Sequence, residues 1–215
     1  GKALAVVTDI SNAESVAALK ASVLEAFGKV SLLMNNAVTR IGGGVWGDAA
    51  EWRKAMEVNF WGVEMACRAF VPDMLESGEP AMIIHCGSKQ GITNPPGNSI
   101  YNVTKSALKT YAEALEHELR NTEGCKITTH LLVPGMTTTG DRPHRDGAWW
   151  PDQVIDHMMP ALERGDFYII CPDGEVTTEM DAKRMAWATG DIVSNRPPLS
   201  RWHPNYKKAF EDFQP

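Results

Sequence analysis

The sequence places a lysine one helical turn after a tyrosine, at Tyr101 and Lys105. The apolar spacing of residues 108–119 predicts a helix here, and in a helix these two side chains share one face. An ammonium group beside a phenol favours the ionised phenol, so we expect Lys105 to lower the pKa of Tyr101. The pair is therefore a candidate general acid and base near neutral pH. The spacing alone is weak evidence, because it also occurs by chance in chains of this size.

Two polar residues upstream extend this candidate site. Ser88 follows the apolar run at residues 81–86, and Asn59 lies within a long segment of helical periodicity. A serine hydroxyl can donate a hydrogen bond to a substrate oxygen and hold it about 3 Å from a phenol. A serine hydrolase built on Ser88 is a poor alternative, because the G-x-S-x-G turn that such enzymes need is missing. Taken singly, each of the four residues also fits a structural role.

The elements that must position these residues alternate along the chain. Continuous apolar runs, typical of buried strands, occupy residues 3–7, 30–34, 81–86, 127–133 and 167–171. Helical spacing occupies residues 13–27, 48–76, 101–121, 154–164 and 177–187. This alternation predicts an α/β fold with a doubly wound, Rossmann-like parallel sheet in one domain over residues 1–215. Ligands of such sheets bind at the carboxyl ends of the strands.

Two segments lack a regular period. Residues 137–150 are rich in Thr, Gly, His and Trp, which favours a substrate loop, and their arginines, histidine and tryptophans suit a polar or aromatic compound. The tail at residues 196–202 is expected to be extended and docked, since its aromatic residues need cover. Residues 42–47 match G-x-G-x-x-G, but a dinucleotide fingerprint follows a strand directly and this one does not. We interpret it as a flexible loop.

Composition limits the classes of function. The chain has 215 residues and a net charge of -6, with no basic stripe for nucleic acid and no polybasic face or long apolar run for a membrane. We expect a cytoplasmic protein. Its histidines show no metal-ligand spacing, so no metal is expected. The cysteines form no C-x-x-C, which favours free thiols over disulfides or a metal site at Cys67, Cys86, Cys125 and Cys171.

Seven features in one order resemble the short-chain dehydrogenase/reductase family of the classical type, over nearly the whole chain. The family's adenine-contacting turn is matched by Thr8-Asp9-Ile10, and its N-N-A-G strand end by Asn35-Asn36-Ala37-Val38. The loop that packs on nicotinamide is matched by Pro134-Gly135-Met136-Thr137. The catalytic residues are matched by Asn59, Ser88, Tyr101 and Lys105.

The resemblance implies hydride transfer between NAD or NADP and the carbonyl or secondary alcohol of a small molecule. Tyr101 would be the general acid and base and Ser88 would hold the substrate oxygen. Lys105 would contact the nicotinamide ribose and Asn59 would hold a water. The implied cofactor-binding residues are Asp9, Ile10, Asn35, Ala37, Tyr101, Lys105, Pro134, Gly135 and Thr137. The resemblance also implies a homodimer or homotetramer that pairs through the helices at residues 48–76 and 101–121.

The sequence departs from the family pattern in two places. The family's glycine-rich phosphate turn, with further strands and helices, precedes the position of Asp9, and we expect an N-terminal part to supply them and the choice between NAD and NADP. Val38 replaces a glycine, which puts a β-branched side chain near the expected path of the cofactor. The alternative function is a non-catalytic relative, or a fragment, that uses the same scaffold for binding or regulation.

Overall fold

A computed structural model describes residues 1–140, 142–174 and 176–215. Its centre is a four-stranded parallel sheet in the order β1-β2-β3-β4. The strands are β1 (Leu32–Asn35), β2 (Ala81–Cys86), β3 (Ile127–Val133) and β4 (Tyr168–Ile170). His85 of β2 lies opposite Asn35 of β1 and Leu131 of β3, so the carboxyl ends of these parallel strands lie at one edge of the sheet.

Helical segments connect successive strands and cover the sheet. They are α1 (Ala13–Phe27), α2 (Ala49–Met56), α3 (Gly62–Ser77), α4 (Gln90–Thr93), α5 (Ser99–Arg120), α6 (Pro151–Arg164), α7 (Thr178–Val193) and α8 (Lys207–Asp212). A π-helical turn, Glu57–Trp61, joins α2 to α3, and two 3-10 turns, Ser200–Trp202 and Pro204–Tyr206, precede α8.

The core lies on both faces of the sheet. Ile83 of β2 packs in a cluster with residues of α3 and α5, such as Val63 and Leu108. The next residue, Ile84, packs on the opposite face in a cluster with Val154 of α6. Successive residues of a strand point to opposite faces, so a strand covered on both sides must be apolar throughout. The predicted doubly wound α/β fold is confirmed.

The strand predicted at residues 3–7 is wrong. Val7 is fully exposed and Leu4 is about half exposed, at 103% and 48%. An apolar run becomes a strand only where a neighbouring strand pairs with its backbone. In the described part of the chain β1 pairs with β2 alone, and the side chains of Leu32 and Met34 on β1 remain exposed.

The helix predicted at residues 48–76 contains a feature that its period did not indicate. The π turn Glu57–Trp61 interrupts it and includes Asn59. Such turns insert a residue into an α-helix and occur frequently at functional sites. By contrast, α1 begins and ends as predicted, because Asn12 accepts a hydrogen bond from the Ser15 amide and Gly28 ends the helix at a positive φ of 80°.

The C-terminal tail is docked as predicted but is not extended. Its 3-10 turns and α8 fold over Trp187 of α7, whose ring lies 5.5 Å from Phe210 and 5.3 Å from Phe213, centre to centre. The Trp187 indole also donates a hydrogen bond of 2.8 Å to the Ser200 hydroxyl. Helix α7 continues to Val193, beyond the predicted end at residue 187.

The cysteines are free thiols, as expected, with Cys67 and Cys171 buried. Within the described ranges, none of the helices has the length and apolar character needed to cross a membrane.

Candidate active site

Three loops bring the predicted site residues to the carboxyl edge of the sheet. Asn35 ends β1, Ser88 lies just beyond the end of β2, and Pro134 directly follows the end of β3. Since parallel strands end at the same edge, these loops become neighbours in the fold although they are far apart in sequence.

The Ser88 hydroxyl is oriented by the start of α4. Its oxygen accepts a hydrogen bond from the Gln90 amide at 3.2 Å. A hydroxyl has one proton to donate, and this proton is not used in the bond to Gln90. Ser88 can therefore donate to an oxygen placed between itself and Tyr101.

Gly91 allows α4 to pack directly on the backbone of α5. A Cβ at this position would lie 2.5 Å from the carbonyl carbon and 2.6 Å from the carbonyl oxygen of Lys105. The Ser106 hydroxyl donates to the Gly91 carbonyl at 3.0 Å and holds the two segments together. This close approach brings Ser88 next to Tyr101. The role of Gly91 was not found from the sequence, where the only signal is its position three residues after Ser88.

Tyr101 is half-buried, and its phenol behaves differently from the sequence-based expectation. Burial raises the pKa of Tyr101 above its usual value, and this outweighs a hydrogen bond to Ser88 and the charge of Arg40, which both lower it. The predicted lowering by Lys105 is wrong for this arrangement. The Lys105 ammonium lies 5.8 Å from the centre of the Tyr101 ring and points elsewhere. Tyr101 is accordingly a protonated phenol at neutral pH.

The Lys105 ammonium is buried and points to the end of β2. It donates a hydrogen bond of 2.7 Å to the Cys86 carbonyl, and its side chain belongs to the buried set of the structure. Burial lowers the pKa of Lys105 because it disfavours the charged form. An ammonium has three N–H donors, and the described residues accept one of them. The remaining donors suit hydroxyl groups of a ligand.

Asn59 fixes the loop after β1 to α5. Its amide oxygen accepts from the Thr39 amide at 2.8 Å, and its amide nitrogen donates to the Thr39 carbonyl at 2.9 Å and to the Thr104 hydroxyl at 3.1 Å. Both N–H donors of the buried side chain thus have protein partners. The visible role of Asn59 is to place residues 36–40 against α5.

The residues expected to contact adenine lie beside the π turn. Asp9 is exposed, and its carboxylate accepts hydrogen bonds from the amide and hydroxyl of Ser11, which lower its pKa. Ile10 packs against Gly62, where a Cβ would lie 2.9 Å from the Ile10 Cδ1. The carboxylate of Asp9 therefore stabilises the turn that precedes α1. Because it is exposed, it is also accessible to a ligand.

The side chain of Asn35 faces the core. Its amide nitrogen lies 3.5 Å from the Cys67 sulfur and 3.3 Å from Nδ1 of His85. A ligand at the edge would meet the backbone of Asn35 rather than its amide. Ala37 and Val38, which follow it, are exposed at this edge.

The loop after β3 is held by backbone bonds and by a carboxylate. The Trp149 amide donates to the Met136 carbonyl at 2.8 Å, and the Thr138 amide donates to the Trp149 carbonyl at 2.9 Å. Thr137 lies between these two contacts. Asp173 accepts from the Met136 amide and is in contact with Gly135. The sequence-predicted segment 134–137 thus reaches the same edge as Ser88.

Arg40 links two loops of the candidate site, and the sequence did not predict this role. Its guanidinium donates to the Thr139 hydroxyl at 3.1 Å and so joins the loop after β1 to the loop after β3. Its charge lowers the pKa of both Tyr101 and Lys105, which places it near both groups. No motif in the sequence marks this residue.

The glycine motif at residues 42–47 forms a loop on the N-terminal end of α5. The Ile100 amide donates to the Gly43 carbonyl at 3.2 Å, and a Cβ on Gly47 would lie 2.9 Å from the Ile100 Cδ1. The predicted loop is confirmed, and the glycines serve packing. Among the residues with described positions, no cluster of His, Cys, Asp and Glu could hold a metal ion.

The family model described as short chain dehydrogenase matches residues 1–146. Among curated proteins, 1-deoxy-11-beta-hydroxypentalenate dehydrogenase from Streptomyces exfoliatus is 33% identical over 138 residues, which are 63% of this chain and 49% of that protein. An uncharacterized oxidoreductase from Staphylococcus aureus strain N315 is 31% identical over 164 residues, 72% of this chain and 68% of that protein. The chain spans about half the length of the first of these relatives, 49%.

Solved structures share the fold. A short chain dehydrogenase/reductase from Burkholderia phymatum, in complex with NAD, superposes with a TM-score of 0.78 at 31% identity, over 89% of this chain and 76% of that chain. An alcohol dehydrogenase from Thermococcus sibiricus, complexed with 5-hydroxy-NADP, superposes with a TM-score of 0.68 at 23% identity, over 79% and 74% of the two chains, and shows the likeness of fold alone.

Proposed function

The chain belongs to the short chain dehydrogenase family, and from this we propose that it is the catalytic part of an NAD(P)-dependent oxidoreductase. The reaction is a hydride transfer between the cofactor and a carbonyl or secondary alcohol carbon of a small molecule. The observation that carries the proposal is the position of the buried Lys105 ammonium at the carboxyl edge of the sheet, 2.7 Å from the Cys86 carbonyl oxygen, two residues before Ser88, and 5.8 Å from the centre of the Tyr101 ring.

The residues at this edge suit the nicotinamide end of the cofactor. The free N–H donors of Lys105 match ribose hydroxyls, and the loop at residues 134–137 lies next to Ser88. The bound nicotinamide supplies or accepts the hydride. We assign the remaining cofactor contacts to Asp9, Ile10, Asn35 and Ala37. Either NAD or NADP is compatible with these residues, and the two solved relatives were obtained with NAD and with 5-hydroxy-NADP.

Tyr101 transfers the proton. In the direction of reduction its protonated phenol gives a proton to the oxygen of the carbonyl group, and in the direction of oxidation the phenolate takes the proton of the alcohol. Burial raises the pKa of Tyr101, which favours the protonated phenol that the direction of reduction requires. Ser88 donates a hydrogen bond to the same oxygen and sets its distance from the phenol.

Asn59 contributes through position. Because it bonds both backbone groups of Thr39 and the Thr104 hydroxyl, it aligns the loop at residues 36–40 with α5. A water bound at this turn and linked to Lys105 would complete a route for proton exchange with solvent, as the family resemblance implies.

The proposed assembly is a homodimer or homotetramer in the cytoplasm. Trp61 in the π turn and Val103 on α5 expose 47% and 45% of their surface, on the two helical segments predicted to pair with a second subunit. Exposed apolar side chains on adjacent helices favour association. The free cysteines are in keeping with a reducing compartment.

The test is a panel of alcohols and ketones with NAD and NADP, assayed with the full-length protein and its Tyr101→Phe variant. We expect the variant to lose turnover by about 100-fold or more while it still binds the cofactor. Tyr206→Phe, in the C-terminal tail, is the matched control and should retain activity. Equal turnover in Tyr101→Phe would contradict the proton-transfer role. Cofactor binding without turnover across the panel would favour the non-catalytic alternative.

A further inference from the structure

The residue directly after Ser88 is a largely buried lysine that is paired with two carboxylates. The Lys89 ammonium lies 2.8 Å from Oδ1 of Asp173 and 2.6 Å from Oδ2 of Asp181. The three side chains are only 15%, 12% and 7% exposed, in the order Lys89, Asp173 and Asp181. These groups come from the start of α4, the segment after β4, and α7, so the cluster joins three distant parts of the chain.

The cluster extends to the loop that follows β3. The second oxygen of Asp173 accepts the Met136 amide. A Cβ on Gly135 would lie 2.3 Å from the Asp173 carboxylate carbon, so the carboxylate occupies the space beside this glycine. One carboxylate therefore contacts both the lysine next to Ser88 and the segment at residues 135–136.

We propose that Lys89 is a positioning residue that fixes the Ser88 hydroxyl relative to the segment at residues 134–137. Lys89 acts through its ion pairs with Asp173 and Asp181. The inference rests on the proposed function, in which Ser88 holds the substrate oxygen and the segment at residues 134–137 packs on the nicotinamide.

Charge balance makes this arrangement sensitive to the loss of Lys89. One ammonium lies between two carboxylates, and burial raises the pKa of Asp181 although Lys89 and, more weakly, Arg184 lower it. Without Lys89, two like charges would face each other with little solvent. Asp173 would then have to move or take up a proton. The Met136 amide and the turn at Ser88 would no longer be connected through the carboxylate of Asp173.

The decisive experiment is a double-mutant cycle between Lys89→Met and Ser88→Ala, measured as kcat/KM of the full-length enzyme. In the parent, Ser88→Ala should lower kcat/KM about 100-fold. In the Lys89→Met background, Ser88→Ala should lower kcat/KM by no more than about fivefold, because the hydroxyl is already misplaced. Lys109→Met, which breaks the ion pair of Lys109 with Glu113 on α5, is the control and should leave the effect of Ser88→Ala unchanged.

Equal losses from Ser88→Ala in both backgrounds would overturn the proposal, because a purely structural lysine lowers activity independently of Ser88. Asp173→Asn preserves the shape of the side chain, and the same cycle with Ser88→Ala tests the proposal if Lys89→Met does not fold. Equal losses there would also overturn it. A parent enzyme that turns over no substrate would contradict the proposed function itself, whereas an active parent with independent losses contradicts only the role of Lys89.

Discussion

Lys105 donates its hydrogen bond to the carbonyl oxygen of Cys86, at 2.7 Å, and not to the phenol of Tyr101. Cys86 ends β2, two residues before Ser88, so this one bond ties α5 to the strand that precedes the serine. A buried ammonium needs an acceptor, and the end of a strand offers a carbonyl group that no longer has a neighbouring strand to bond. The lysine thus helps to place Ser88 as well as Tyr101.

Gly91→Ala should disrupt both stability and activity. The added Cβ would meet the Lys105 backbone at 2.5 Å, where neither segment can give way easily. We expect a loss of about 3 kcal/mol in the free energy of unfolding, since overpacking against backbone lies at the upper end of its usual range. Chemical denaturation and kcat/KM measure the two effects.

Gly44→Ala is the matched control for that change. A Cβ at Gly44 meets nothing within 4 Å, and this glycine does not have a positive φ. The free energy of unfolding of Gly44→Ala should be nearly the same as that of the parent protein. A Gly91→Ala variant that matched it in stability and activity would show that α4 and α5 can separate without harm.

His85 should make the protein less stable in mild acid. The ring is fully buried, and burial lowers the pKa of His85 to about 4. In the unfolded chain the pKa is near 6.5, so the unfolded state takes up a proton first as the pH falls. The stability from the neutral ring is therefore present above pH 6.5 and is lost as the pH falls towards 4, by about 2 kcal/mol between pH 7 and pH 5.

Urea denaturation of the parent and of His85→Gln at pH 7 and pH 5 measures this effect. Glutamine has no titratable ring, so its variant should lose less stability between the two pH values than the parent does. His203→Gln, at an exposed position in the tail, should follow the parent. The assignment to His85 fails if His85→Gln loses stability with pH as steeply as the parent.

Val38→Gly should tighten cofactor binding. Val38 stands where the family has glycine, and its side chain is 38% exposed at the edge where the cofactor is proposed to lie. Removing the β-branched side chain clears this path at small cost in packing, and we expect a decrease of about threefold to tenfold in the Kd for the cofactor. Fluorescence titration of full-length protein with NAD and NADP measures the change.

Val45→Gly is the control for the added glycine flexibility, since Val45 is an exposed loop residue away from the strand end. It should leave the Kd unchanged. Weaker binding in Val38→Gly would show that the valine contacts the cofactor favourably and that this chain has adapted to it.

Local patterns in the sequence predicted most of the elements correctly. The bounds of α1 follow from Asn12 and Gly28, whose capping chemistry acts within a few residues. The strands at residues 81–86 and 127–133 were identified from unbroken apolar runs, because burial on both faces leaves no polar position. The order of Ser88, Tyr101 and Lys105 in the sequence likewise indicated the family.

Features that depend on contacts between distant segments were decided by the tertiary structure alone. Residues 3–7 are as apolar as a strand, yet they lie outside the sheet because strand formation needs a neighbour. The hydrogen-bond acceptor of Lys105 and the ion-pair partners of Lys89 belong to other elements of the fold. The local spacing of residues in the sequence therefore cannot predict these contacts. The pKa of Tyr101 rises because burial in the folded chain outweighs the nearby charges, and burial is a property of the whole fold.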